Sequence, residues 1–219
     1  NNLESLNGKI FIVATPIGNL SDITYRAVEI LKSVDFILCE DTRVTKILLD
    51  HYNISKPLSV VNAHNESKVS DKLLDRLSSG ESCALVSDAG TPCISDPGVR
   101  LINHLISNGI EVVGIPGPNA AIMALSISGL PTDAFVFEGF IPQKKGRQKK
   151  LKQLSEEERT IVLYESTYRI KKLLEELNEY MPLRKVVVAR ELTKKFEETW
   201  RGTASEILTD FDKKIKKGE

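Results

Sequence analysis

Cys83-Ala-Leu-Val-Ser-Asp-Ala-Gly-Thr-Pro-Cys-Ile-Ser-Asp-Pro-Gly98 is the stretch from which the fold is read. It opens on an apolar run, Ala84 to Val86, of the kind that makes a short buried strand. The run breaks into two near-repeats rich in glycine, proline and acid, Ser87-Asp88-Ala89-Gly90 and Ser95-Asp96-Pro97-Gly98. Val99, Ile102, Leu105 and Ile106 then recur at helical spacing. The pattern is a strand, a tight polar loop and a helix start, and open α/β sheets bind ligands at such C-terminal strand ends.

The same pattern recurs on both sides. A strand over Ile10–Ala14 runs into the turn Thr15-Pro16-Ile17-Gly18-Asn19-Leu20, and Ser21-Asp22 is placed to cap the next helix. A strand at Phe36–Cys39 ends in Glu40-Asp41-Thr42-Arg43, and one at Leu58–Val61 ends in Asn62-Ala63-His64-Asn65-Glu66. Another, Val112–Ile115, ends in Pro116-Gly117-Pro118-Asn119. Strands and helices that alternate over short connections predict a mostly parallel sheet covered by helices. We place a boundary after Pro116, giving an N-terminal α/β domain over residues 1–116 and a second α/β domain over 117–219. The second has a buried helix over Ala120–Gly129 and strands at Phe135–Phe137, Ile161–Tyr164 and Val186–Ala189. Ile170, Leu173, Leu174 and Leu177 mark one of its helices, and Thr203 with Glu206 forms a capping box for the last. Its sheet is expected to end at Val186–Ala189 or at a strand beyond Gly218-Glu219.

Composition narrows the function classes. The 219 residues are 41% apolar and 27% charged, with 30 basic and 30 acidic side chains, as in a soluble globular protein. Residues 1–114 carry 10 basic and 14 acidic side chains and the remainder 20 and 16, so a polyanion favours the second half. Cys39, Cys83 and Cys93 form no C-x-x-C pair and read as small buried fillers. No leader signal and no membrane-length apolar run is legible, so a cytoplasmic protein without membrane contact is expected. No G-x-G-x-x-G follows the first strand and no P-loop occurs, which disfavours the usual dinucleotide and nucleoside triphosphate sites.

The strand ends instead gather acids: Glu40, Asp41, Glu66, Asp88 and Asp96. They suit a ligand with a positive centre, one rich in amines and hydroxyls, or Mg²⁺. Asp88 and Asp96 suit equally the capping of their own turns and helices. Gly117 lets backbone come close to a ligand, or simply turns the chain between domains. Lys144-Lys145-Gly146-Arg147-Gln148-Lys149-Lys150-Leu151-Lys152 holds six basic residues in nine positions, as phosphate contacts require, although a solvated helix face looks similar. His64 at a strand end reads more readily as structural than as a general base.

Taken in order, the loops resemble one family. The residues that carry the likeness are Val13 to Leu20, Glu40 to Arg43, Ser87 to Pro92, Ser95 to Gly98 and Pro116 to Ala120, followed by Ser128 to Pro131, Glu138 to Phe140, Tyr164 to Ser166 and Ala189 to Lys194. Across roughly residues 8 to 203 they are similar to the small-subunit ribosomal RNA methyltransferases of the tetrapyrrole-methylase-like, class III group. The chain departs from the pattern at Val44, where relatives carry histidine, and at Thr167-Tyr168-Arg169, where they read Pro-His before the arginine. The resemblance implies two α/β domains with S-adenosylmethionine in an interdomain cleft, no metal, and a homodimer in the bacterial cytoplasm. It implies 2′-O-methylation of a cytidine in the decoding region of small-subunit (16S) RNA, within the 30S particle. By resemblance, Pro16, Gly18, Asp88, Ala89, Gly90, Thr91, Asn119, Ala120, Tyr164, Glu165 and Ala189 meet the cofactor. Glu40, Asp41, Arg43 and Glu66 are candidates for the chemistry. Lys46, Asn65, Lys144, Lys145, Arg147, Lys149 and Lys150 are candidates for RNA contact. The competing readings are a methyltransferase of the same fold acting on a small molecule, a Mg²⁺-dependent phosphoryl-transfer enzyme using Asp88 and Asp96, and a non-catalytic RNA-binding protein.

Overall fold

The computed structural model describes residues 5–95 and 97–216. In the first unit, up to Ala120, five short apolar strands pair in parallel: β1 (Lys9–Val13), β2 (Phe36–Cys39), β3 (Leu58–Val60), β4 (Cys83–Leu85) and β5 (Glu111–Ile115). Their order is β3-β2-β4-β1-β5. The helices between them are α1 (Tyr25–Ser33), α2 (Thr42–His51), α3 (Glu66–Ser78) and α4 (Val99–Ser107), and α5 (Ala120–Ser128) follows β5.

All four residues of β2 and all three of β4 are buried, the continuous apolar run that a sheet covered on both faces demands. Alternate side chains separate into two cores. Phe11, Val13, Ile37, Cys39 and Ala84 face Ala27 and Leu31 of α1 and Leu49 of α2. Ile10, Phe36, Leu38, Cys83 and Leu85 face Leu73 and Leu77 of α3 and Leu101 and Leu105 of α4. Because every pairing is parallel, the polar loops that follow the strands all lie on one edge. Cys39 and Cys83 are free and buried, as fillers should be, and burial pushes both thiols up.

Two expectations need correction here. Thr24, not Ser21-Asp22, caps α1: its side chain accepts from Ala27 N at 3.0 Å. Ser21 and Asp22 belong to a turn closed by Asn19, whose side chain accepts from Ser21 N and whose carbonyl accepts from Asp22 N. The division falls after Ala120 rather than Pro116. Gly117 lies against Ala14, and the Pro118 carbonyl accepts from Thr91, so both belong to the first unit.

The second unit holds β6 (Phe135–Gly139) parallel to β7 (Thr160–Leu163), and β8 (Lys185–Arg190) antiparallel to β9 (Glu198–Thr203). Its helices are α5, from Ala121 onward, α6 (Arg147–Ser155), α7 (Ile170–Tyr180) and α8 (Ala204–Lys216). Leu151 and Leu154 of α6, Leu173, Leu174 and Leu177 of α7, and Ala204 and Ile207 of α8 share a core with Ile141. The predicted capping box is present: Glu206 Oε1 accepts from Thr203 N at 3.2 Å and Thr203 Oγ1 accepts from Glu206 N at 3.3 Å. β9 had no strand signal of its own in the sequence, since Glu198, Arg201 and Gly202 interrupt its apolar pattern.

β7 and β8 are not paired with each other among the described residues. Both line one cavity of about 1160 Å³, whose lining includes Ile161, Leu163, Val186 and Val188 with Leu174 of α7 and Phe211 of α8. The strand expected after Gly218-Glu219 lies outside the described residues. Among the described residues no helix is long and apolar enough to cross a membrane.

Candidate active site

The loops after β1 and β4 are joined backbone to backbone, and the loop after β5 is joined to them through a side chain. Thr15 and Gly90 exchange both N–H···O bonds at 3.0 Å, and Thr15 Oγ1 donates to the Ser87 carbonyl at 3.3 Å. Ser87 Oγ donates back to the carbonyls of Ala89 and Gly90. Thr91 Oγ1 donates to the Pro118 carbonyl at 3.0 Å. A Cβ on Gly117 would sit 2.8 Å from Ala14 Cβ, and one on Gly90 would sit 3.2 Å from Ile17 Cγ2. Gly90 also has a left-handed φ of 79° that side chains adopt at a cost. These glycines bring three strand ends into direct contact. Gly117 was expected to admit a ligand or to turn the chain between domains, and its close neighbour here is Ala14. The knot buries Thr15, Ser87 and Gly90 and leaves Asp88 and Ala89 exposed at its rim.

Beside the knot, β2 and β4 bring acids together. Asp88 Oδ1 accepts from Asp41 N at 3.3 Å, so Asp88 reaches across to the β2 loop. Asp41 caps α2 through Arg43 N at 2.9 Å and takes the Arg43 guanidinium on both oxygens, at 3.1 and 2.9 Å. Those bonds hold the Asp41 carboxyl below the usual carboxylate range. Burial raises the Cys39 thiol first, and the nearby charges of Asp88, Asp41 and Glu40 raise it further; of the three, Asp41 is paired with Arg43. The Arg43 side chain remains largely open to solvent, and Lys46, one turn on along α2, is exposed.

Glu66 does not join them. It is buried, and its Oε1 accepts from Gly98 N at 3.2 Å and Leu101 N at 2.9 Å. The carboxylate thus caps α4, whose own cap, Gly98, has no side chain to do so. A single acid in the sequence gave no sign of this tertiary use. Asn65 is likewise occupied locally, accepting from Asn62 N and donating to the Val60 carbonyl. His64 is exposed at the end of β3.

In the second unit, the basic run divides. Arg147 is buried, its Nε and Nη2 bonding Glu176 at 2.7–3.1 Å and its Nη1 donating to the Pro142 carbonyl at 2.8 Å. Its expected role in RNA contact is therefore corrected to a structural one, because one positive group in the run faces inward. Arg147 in turn holds the Glu176 carboxyl below its ordinary value. Lys150 pairs with Glu138 at 3.2 Å, while Lys144, Lys145 and Lys149 are exposed. Tyr164 follows β7 and contacts the rings of Phe137 and Phe140. Glu165 accepts from Ser166 N at 2.8 Å, and both Glu165 and Ala189 line the cavity between β7 and β8.

Thr15, Ala14 and Glu176 were not singled out in the sequence. Thr15 and Ala14 lie inside a quoted loop, but only contacts across strands show that they are the hinge of the knot. Among the described residues no three His, Cys, Asp or Glu side chains come together as a metal site. Asp96, the partner of Asp88 in the phosphoryl-transfer reading, lies outside the described residues.

The model of the Tetrapyrrole (Corrin/Porphyrin) Methylases matches residues 9–208. A Thermotoga maritima protein named ribosomal RNA small subunit methyltransferase I is 47% identical over 97% of this chain and 96% of its own. The Vibrio cholerae protein of the same name is 50% identical over 96% of this chain and 74% of its own. Among solved structures, a cobalt precorrin-4 methyltransferase superposes with a TM-score of 0.67 at 21% identity, covering 93% of this chain and 88% of that one. A uroporphyrin-III C-methyltransferase from Thermus thermophilus, complexed with S-adenosyl homocysteine, gives 0.62 at 17% identity over 92% and 91%. At such identities these structures speak for the fold. By its match over nearly the whole chain and its near half-identity to full-length relatives, the chain belongs to the tetrapyrrole (corrin/porphyrin) methylase family and, within it, to the ribosomal RNA small subunit methyltransferase I group.

Proposed function

We propose that this chain transfers a methyl group from S-adenosylmethionine to the ribose 2′-oxygen of a cytidine in the decoding region of small-subunit ribosomal RNA. The observation that carries the reading is 47% identity to the Thermotoga maritima enzyme across almost all of both chains. The strand-end edge fits such a donor. Its exposed side chain is an acid, Asp88, beside Glu40 and Asp41, which favours a positive centre and accepts from hydroxyls and amines. The Thr15–Gly90 and Gly117–Ala14 contacts fix the rim on which Asp88 and Ala89 stand.

When bound, the donor supplies a methyl on a sulfonium, which is electrophilic without a metal. The chain's own share is alignment of the acceptor and management of one proton. Alignment alone accounts for a large part of the rate in such displacements. Asp41 is held acidic by Arg43 and is a poor proton acceptor near neutral pH. Its task is to aim the open guanidinium of Arg43 at a phosphate, with Lys46 beside it. Glu40, next to it at the end of β2, then becomes the candidate acceptor for the 2′-OH proton, and Glu66 serves as scaffold. The substrate is the RNA within the 30S particle, and the active species is a cytoplasmic homodimer.

The test is incubation of the purified chain with methyl-labelled donor and small subunits lacking the modification, in EDTA and in Mg²⁺ above the chelator. We expect label in 2′-O-methylcytidine after nuclease digestion and mass spectrometry, at equal rates per intact particle. Label on a base, or none on RNA, would overturn the assignment. Glu40→Gln should lower kcat by a larger factor than it raises the donor Kd.

A further inference from the structure

We propose that Phe140 is a stacking platform for an unpaired nucleobase of the RNA substrate, with Lys144, Lys145 and Lys149 holding the adjoining phosphates. The inference rests on the ribosomal RNA reading above and assigns a position on the second unit to the RNA strand.

The backbone compels an asymmetric choice at this point. Gly139 closes β6 and is buried, Ile141 is buried in the helix core, and Phe140 between them is 66% exposed. The chain turns at Gly139, whose φ is 62°, and only one of the two large apolar residues that follow faces water. Here the flat aromatic does. It is also braced. Its ring lies 5.7 Å from that of Tyr164 at 60°, and Tyr164 lies 5.4 Å from Phe137 at 76°. Phe137 packs with Ala121, Leu125 and Val162. Tyr164 N donates to the Gly139 carbonyl at 2.8 Å, which fixes the two strand ends against each other. The exposed ring is therefore tied through one aromatic partner to the core and is presented with little freedom to lose on binding.

The surroundings select the ligand. The loop from Phe140 leads within a few residues to Lys144 and Lys145, and Lys149 follows in the first turn of α6. All three are exposed, and none forms an ion pair among the described residues, whereas Arg147 and Lys150 are neutralised by Glu176 and Glu138. The Arg147 bond to the Pro142 carbonyl pins the loop that carries them. A braced aromatic face beside unpaired cations is what a single-stranded segment needs, since every base has a π-face and every linkage a charge. A lipid surface or an acidic peptide would use the cations but give the rigid ring no planar partner.

The test uses the full chain with hypomethylated 30S subunits, and a short RNA of the decoding-region sequence carrying 2-aminopurine. Wild-type methylation of the subunits comes first, and its failure would refute the functional reading itself. Given that activity, Phe140→Ala should raise the KM for subunits by roughly 5- to 150-fold, the range for one lost base stack. The donor Kd should stay the same, and Phe140→Trp should restore the KM. Wild type should quench the 2-aminopurine, and F140A should not. Unchanged KM and quenching in F140A would overturn the platform. A donor Kd that rises together with the KM would instead place the ring in the donor site. A change in oligomeric state on size-exclusion light scattering, without loss of quenching, would place it in a contact between copies of the chain.

Discussion

Gly117 and Glu66 show how much of the candidate site is shaped by contacts within the protein itself. Gly117 has no strained φ, and its requirement is purely spatial: a methyl there would stand 2.8 Å from Ala14 Cβ, and neither group is at the end of a flexible side chain. Gly117→Ala should therefore displace the β5 loop, lowering stability by about 1–3 kcal/mol and kcat by up to about 100-fold. Adding Ala14→Gly removes the opposing methyl and should recover most of both. If the double variant is no better than G117A by thermal melt and turnover, the contact is not what fixes the loop. Glu66 makes the opposite case. As an acid at a strand end it looks catalytic, but it spends its carboxylate on two backbone N–H groups of α4. Glu66→Gln should cost about 1–3 kcal/mol in melting or urea unfolding and leave kcat at low temperature little changed. A large drop in kcat with native stability would return Glu66 to the chemistry.

At the scale of elements, the sequence declared its strands by apolar runs and its loops by Gly, Pro and acids, because a parallel sheet buried on both faces leaves no alternative pattern. What it hid were uses that depend on a neighbour. β9 is held by pairing to β8 across six positions, not by its own composition. α6 reads as a uniformly basic stretch until Glu176 on α7 turns Arg147 inward. That pair supports a pH prediction. Glu176 is held below its unfolded value by Arg147, so its contribution is full above about pH 4.3, the unfolded carboxyl value, and fades as pH falls through the lower folded value. Glu176→Gln should destabilise by on the order of 3 kcal/mol at neutral pH, with the gap to wild type closing in urea titrations at progressively lower pH. A gap independent of pH would mean packing, not charge, joins α6 to α7. The outward lysines obey a different rule. Replacing Lys144, Lys145 and Lys149 by alanine should flatten log K for RNA against log salt by about 2, near 0.7 per lost phosphate contact on a single strand. Arg147→Ala should leave that slope nearly unchanged in protein shown to be folded.

Across the whole molecule the two units carry very different sheets. In the first, β1, β2 and β4 each have a partner on both sides. In the second, each of the four strands has one partner among the described residues, so each presents an edge there. Ile161, Leu163, Val186 and Val188 line the cavity of about 1160 Å³ and are only partly buried against the helix core, so they gain less dispersion and exclude water less completely than fully buried side chains. The first unit should thus open only in global unfolding, and the second should open at lower cost. Hydrogen exchange followed by mass spectrometry tests this directly in the intact chain. Peptides covering β1 and β4 should hold their protected amides longest, and those covering β7 and β8 should exchange earlier and together. Exchange of the second set should also depend less steeply on denaturant than that of the first, because an opening confined to the second unit exposes less surface than global unfolding. Equal protection in all four strands would show that the β7 and β8 edges are covered in solution, and the contrast drawn between the two sheets would then fail.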